Sequence, residues 1–198
     1  LTLFANSYTS TVTDINGCGP AEDATFTIEQ PDQLQISVVD QTDAICFGDE
    51  TGTVTYAVTG GTPPYTIDAD FVEINEDGEY IYEDLTLLAE TLTTTVTDIN
   101  NCEPSEDATF TIGEPNELEI SVVDQTDALC FGTETGTVTY AVTGGTPPYT
   151  IEDAVFVEEQ TDGTHIFEDL TLFAESYIST VTDINGCGPA EDATFTIG

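Results

Sequence analysis

The sequence predicts an all-β chain of tandem immunoglobulin-like β-sandwich repeats, each about 84 residues long and arranged end to end. Three observations predict it: an internal copy at fixed offset, apolar alternation with period two, and regular turn signals. Leu34–Ile67 and Leu118–Ile151 align without gaps at an offset of 84. They differ only at Gln35/Glu119, Ile45/Leu129 and Asp49/Thr133. Val12–Ile28 returns unchanged as Val181–Ile197, and in altered form as Val96–Ile112. One inserted residue between Ile151 and His165 stretches the later offset to 85. The organisation read from these copies is the tail of one repeat (1–29), a complete repeat (30–113) and a second complete repeat (114–198).

Each strand follows from its own pattern. Leu34, Ile36 and Val38 face one way over 33–40, with Gln35 and Ser37 opposite. Val54, Tyr56 and Val58 alternate with threonine and alanine over 53–59. A short strand is expected at 65–68, a variable middle at 71–83, and further strands at 91–97 and 108–112. Threonine on the outer positions suits a solvated strand face. Gly60-Gly61-Thr62-Pro63-Pro64, Asp77-Gly78, Asn16-Gly17 and Asn185-Gly186 punctuate the runs. The linkers Glu29-Gln30-Pro31-Asp32 and Gly113-Glu114-Pro115-Asn116 are short and stiffened by proline, so neighbouring repeats are expected to touch. About two strands in 1–29 are too few to fold alone, which suggests a window cut from a longer filament.

The charge balance excludes several functions. The chain has no Lys or Arg, 39 Asp and Glu, and one His. No basic patch exists for nucleic acid, no polybasic segment for an anionic membrane, and no Lys or Arg for an internal salt bridge. No apolar run reaches the length of a membrane span. Eight Tyr and ten Phe with many β-branched residues set the chain apart from disordered acidic sequences.

Residues 46–56 (Cys-Phe-Gly-Asp-Glu-Thr-Gly-Thr-Val-Thr-Tyr), 60–66 (Gly-Gly-Thr-Pro-Pro-Tyr-Thr) and 180–187 (Thr-Val-Thr-Asp-Ile-Asn-Gly-Cys) together resemble the SprB repeat. The resemblance covers essentially the whole chain. It implies secretion, display at the cell surface, and a role in adhesion or gliding. The family tyrosine at the start of the penultimate strand is present as Tyr8 and Tyr177 and replaced by Leu92 in the middle repeat. The tryptophan common in the family is absent.

Five cysteines fall into two series, Cys18/Cys102/Cys187 and Cys46/Cys130, which fits disulfides formed in an oxidising compartment. Two pairings are open, beside the alternative that the thiols stay free. Within a repeat, Cys46 would join Cys102 and Cys130 would join Cys187. Between repeats, Cys46 would join Cys187, with Cys18 and Cys102 served from upstream and Cys130 from downstream. In an immunoglobulin-type sandwich the strand after Cys46 and the strand before Cys102 run parallel. That sets those two cysteines at opposite ends, beyond the ~7 Å Cα limit, and favours the inter-repeat pair.

The carboxylates carry two readings. One is a solvated acidic surface that keeps a secreted fibre soluble. The other is Ca²⁺ at the repeat joint, held by Asp40, Asp43, Asp49, Glu50, Glu114, Asp183 and Asn185, with Asn116, Glu191 and Asp192 nearby, since Ca²⁺ wants six to eight oxygens. His165 lacks a ligand partner, and no nucleophile–base pair interrupts the repeats, so no enzymatic site is expected. The expected function is a structural repeat of a surface adhesin or extracellular filament, acting as a stiff stalk. Its partners would be neighbouring repeats and an unknown surface or glycan ligand. The alternative is a Ca²⁺-dependent carbohydrate- or surface-binding module. That alternative asks for an aromatic or threonine face in every repeat, and the sequence pattern shows no convincing recurrence of exposed aromatics.

Overall fold

The computed structural model describes residues 4–20, 22–104 and 106–198. They contain sixteen strands and no helix. β1 (Asn6–Ser10) and β2 (Ala24–Ile28) form an antiparallel hairpin with Asn6 opposite Ile28. Next come β3 (Gln35–Thr42), β4 (Gly52–Thr59), β5 (Asp70–Ile74), β6 (Tyr80–Leu87), β7 (Thr91–Thr94) and β8 (Ala108–Thr111). The pattern recurs as β9 (Glu119–Thr126), β10 (Gly136–Thr143), β11 (Thr150–Ile151), β12 (Val155–Glu159), β13 (His165–Leu172), β14 (Ser176–Ser179), β15 (Val181–Thr182) and β16 (Ala193–Thr196).

Two four-stranded sheets have the same order, β3-β4-β6-β5 and β9-β10-β13-β12. Facing strands pair as β7-β8, and as β14-β16 with β11-β15. Labelling the strands of each set A to G along the chain gives an ABED sheet opposite a CFG sheet, the arrangement of a constant-type immunoglobulin domain. The expected strand at 65–68 shrinks to a single bridge, Thr66 to Thr97, in the first set. The stretch 71–83, left unassigned in the sequence, forms the hairpin β5-β6 around the Asp77-Gly78 turn, where Gly78 adopts φ +82°.

The backbone divides into two compact units. One takes in residues up to Ser37, with Ala57–Tyr82 and Thr94–Ala108; the other holds Val38–Tyr56, Glu83–Thr93 and Thr109–Gly198. In the second unit the core follows from the alternation in β10. Val138, Tyr140 and Val142 point inward and are at most 2% exposed. They pack with Ile120, Ile151, Phe167, Leu172, Val181, Phe195 and Ile197 from both sheets. In the first unit Leu34, Val58 and Val96 are buried in the same way.

Candidate functional site

Cys46, in the loop between β3 and β4, is bonded to Cys187, in the loop between β15 and β16. The two lie 141 residues apart with Cα atoms 5.7 Å apart, within the ordinary range for a disulfide. Cys18, Cys102 and Cys130 are unpaired and exposed, so the within-repeat pairs do not form here.

The linker is tied to the same loop. The Gly48 N–H donates to a Glu114 carboxylate oxygen at 2.7 Å. The Gly113 N–H donates to Asp43 at 2.8 Å, and the Ala44 N–H returns a bond to the Gly113 carbonyl at 2.9 Å. Asp127 takes the Gly198 N–H in the same manner. A cavity of about 320 Å³ lies against the disulfide, lined by Phe47, Asp49, Pro115, Asn116, Pro189 and others.

Each cysteine of the Cys18 series ends a loop folded around one aspartate. The Asp183 carboxylate accepts the N–H groups of Asn185 and Cys187 on one oxygen (2.8 and 2.9 Å) and that of Thr146 on the other (2.9 Å). Asp98 does the same with Asn100, Cys102 and Thr62, and Asp14 takes Asn16 and Cys18. Hydrogen bonds to the charged form favour it. The Cys102 N–H, followed by those of Thr62 and Asn100, holds the Asp98 carboxyl below its usual value against some desolvation. The Cys18 N–H acts alike on Asp14.

This geometry accounts for most of the proposed calcium ligands. Asp43, Glu114 and Asp183 spend oxygens on backbone N–H groups. Asn185 enters the loop through its backbone. Asp49 lines the cavity, and Asp40 and Glu50 are exposed. Among the described residues no group of three or more acidic, His or Cys side chains converges to hold a metal ion.

One feature escaped the sequence pattern. Beside the cis peptide Pro147-Pro148, Tyr149, Phe156, His165 and Phe167 line a cleft of about 500 Å³ with Glu159 at its rim. Ring centroids are 4.9 Å apart for Tyr149–His165 and 5.5 Å for Phe156–Phe167. In the other unit Tyr65, Phe71, Tyr80 and Tyr82 form the matching cluster beside cis Pro63-Pro64, at 4.9 to 6.2 Å. Of these rings only Phe71 and Phe156 are exposed; Tyr82 and Phe167 are buried, so what recurs is mainly a packed cluster with one exposed phenylalanine in each copy. Three of the four rings align only at the offset of 85, past the inserted residue. His165 stands where the first cluster has Tyr80, with Nε2 3.8 Å from Glu159.

No curated protein matches the chain. Among solved structures, FdeC, described as a broadly conserved Escherichia coli adhesin, is 15% identical. The match covers 96% of this chain and 74% of that one at a TM-score of 0.45. The family model for the SprB repeat matches residues 38–68 and 122–152, spans that hold Cys46, Cys130 and both Gly-Gly-Thr-Pro-Pro-Tyr turns. The SprB-repeat model thus finds a match at two places in the chain, one in each of its two sequence copies.

Proposed function

We propose that this chain is a stalk segment of a secreted, cell-surface adhesin, a non-enzymatic spacer whose repeats follow the boundaries 30–113 and 114–198. The observation that carries the reading is the Cys46–Cys187 disulfide, which joins the two sequence copies at their linker. A crosslink beside a proline-containing linker restricts bending at that point. The linker contacts of Asp43 and Glu114 support the same restriction. The acidic surface, with no Lys or Arg, suits a long extracellular element that must stay soluble and not self-associate at random.

Small-angle X-ray scattering of the chain before and after reduction tests the reading. The oxidised chain should give a narrow distribution of interatomic distances, and reduction should broaden it without loss of β-structure by circular dichroism. Identical distributions in the two states would remove the support for a stiffened joint.

A further inference from the structure

The loops at the disulfide have copies elsewhere in the chain, and the copies are bare. At the joint, Ile45 and Phe47 flank Cys46 and are 50% and 49% exposed, while Cys187 is 8% exposed. The copy of the first loop has Leu129 at 82% and Phe131 fully exposed on either side of the free Cys130. The copy of the second loop leaves Cys102 free and exposed. The difference is local. Ile99 and Ile184, at the tips of the two copies of that second loop, are equally exposed at 60% and 61%.

Both bare loops are already shaped for bonding. Cys102 is held by Asp98 through the bonds that hold Cys187 on Asp183: 2.9 Å from the cysteine N–H in each, and 2.8 Å from the residue two places earlier. The Asp127–Gly198 contact beside Cys130 repeats Asp43–Gly113 beside Cys46. An apolar-Cys-Phe-Gly loop flanked by bare Leu and Phe is a surface that its own copy shows how to cover.

We propose that Leu129-Cys130-Phe131 and the Asp98–Cys102 loop are the two complementary halves of an interface between copies of this repeat, each closing on a further copy as Cys46 closes on Cys187. The occupant of the Cys130 surface is the aspartate-caged cysteine loop of another copy. The occupant of the Cys102 loop is another copy's apolar-Cys-Phe-Gly loop. Covalent closure oxidises two thiols to one disulfide with release of two protons and two electrons. A disulfide oxidant, glutathione disulfide in the test below, accepts the electrons and leaves as two glutathione thiols. Like charge opposes docking, so closure should speed up when salt shortens the Debye length from about 8 Å at 0.15 M ionic strength. The inference rests on the repeat reading and not on adhesion; a chain that binds no surface but closes in this way retains it.

The test uses the full chain with its Cys46–Cys187 bond intact, incubated with glutathione disulfide at low and high NaCl. Products are separated without reduction and mapped with glutamyl endopeptidase and chymotrypsin. Covalent multimers are expected, in higher yield at high salt, with Cys130 joined to Cys102 or Cys18 at least fivefold more often than to another Cys130. Cys130→Ser should lower multimers at least tenfold. Phe131→Ser should lower them about threefold while leaving the rate of Cys130 glutathionylation unchanged. Because both positions are exposed, these variants keep the fold. Chains that remain monomeric with glutathione on Cys130, random pairing that includes Cys130–Cys130, or a Phe131→Ser yield equal to that of the parent would each overturn the proposal.

Discussion

Asp183 is 6% exposed and takes three backbone N–H groups on two oxygens. With no Lys or Arg anywhere, those N–H groups are what its charge has for partners. Asp183→Ala removes the shared acceptor of these N–H groups and should cost about 1–3 kcal/mol in denaturant unfolding; a loss under about 0.5 kcal/mol would mean the loop holds without its cage. Asp98 gives a pH signature. Its folded carboxyl lies below the usual value of 3.8. Its contribution is therefore complete above that unfolded value and is lost as pH falls through the lower folded value. The difference in melting temperature between the parent and Asp98→Asn should hold constant from about pH 5 to 8 and shrink below about pH 4. A difference that widens in acid would contradict this. The comparison of variants is needed because acid also relieves repulsion among the other carboxylates, which acts in the opposite sense on the parent alone.

Among the elements, the strand edges show where the backbone leaves no room for side chains. Gly144 follows β10 with φ +72°, and a Cβ there would run into the Glu117 carbonyl. Gly163 has φ +87° but open space around it. Gly163→Ala should cost about 1 kcal/mol for the left-handed backbone alone. Gly144→Ala should add about 1–3 kcal/mol of overpacking, measured by thermal unfolding of the two variants side by side; equal costs would show that the contact relaxes freely. The outer threonines, legible as exposed strand positions, also pair across strands through their hydroxyls: Thr42 with Thr53, Thr126 with Thr137, and Thr93 with Thr109, at 2.7 to 3.1 Å. Two tyrosines tie the start of their strands to the preceding turn. Tyr8 accepts from the Phe4 N–H and donates to its carbonyl, and Tyr177 does so with Phe173. The strands around Val54 and Val138 were readable because period two alone marks a half-buried strand. β5 was not, since Asp70–Ile74 is exposed along its whole length and leaves no burial pattern in the sequence. The recurrence of the aromatic cluster was hidden by a one-residue insertion. The roles of the acidic residues were legible only as composition, which counts oxygens but does not say which of them accept a backbone N–H, as those of Asp43 and Asp183 do.

At the scale of the molecule, the disulfide reroutes mechanical load. A pull on the two ends of the chain passes through the β1–β2 hairpin and β3 to Cys46, crosses to Cys187 and leaves through β16. The 141 residues of separation between the two sulfurs hang as a slack loop outside that path. Extended at about 3.4 Å per residue, they amount to roughly 480 Å of contour length that force cannot draw out while the bond is intact. Optical-tweezer stretching should show that length only after a reductant is added, and its release by force alone would place the load elsewhere. Overload would then meet a covalent stop before it reached most of either sandwich, and a thiol reductant would act as the release of a shock absorber.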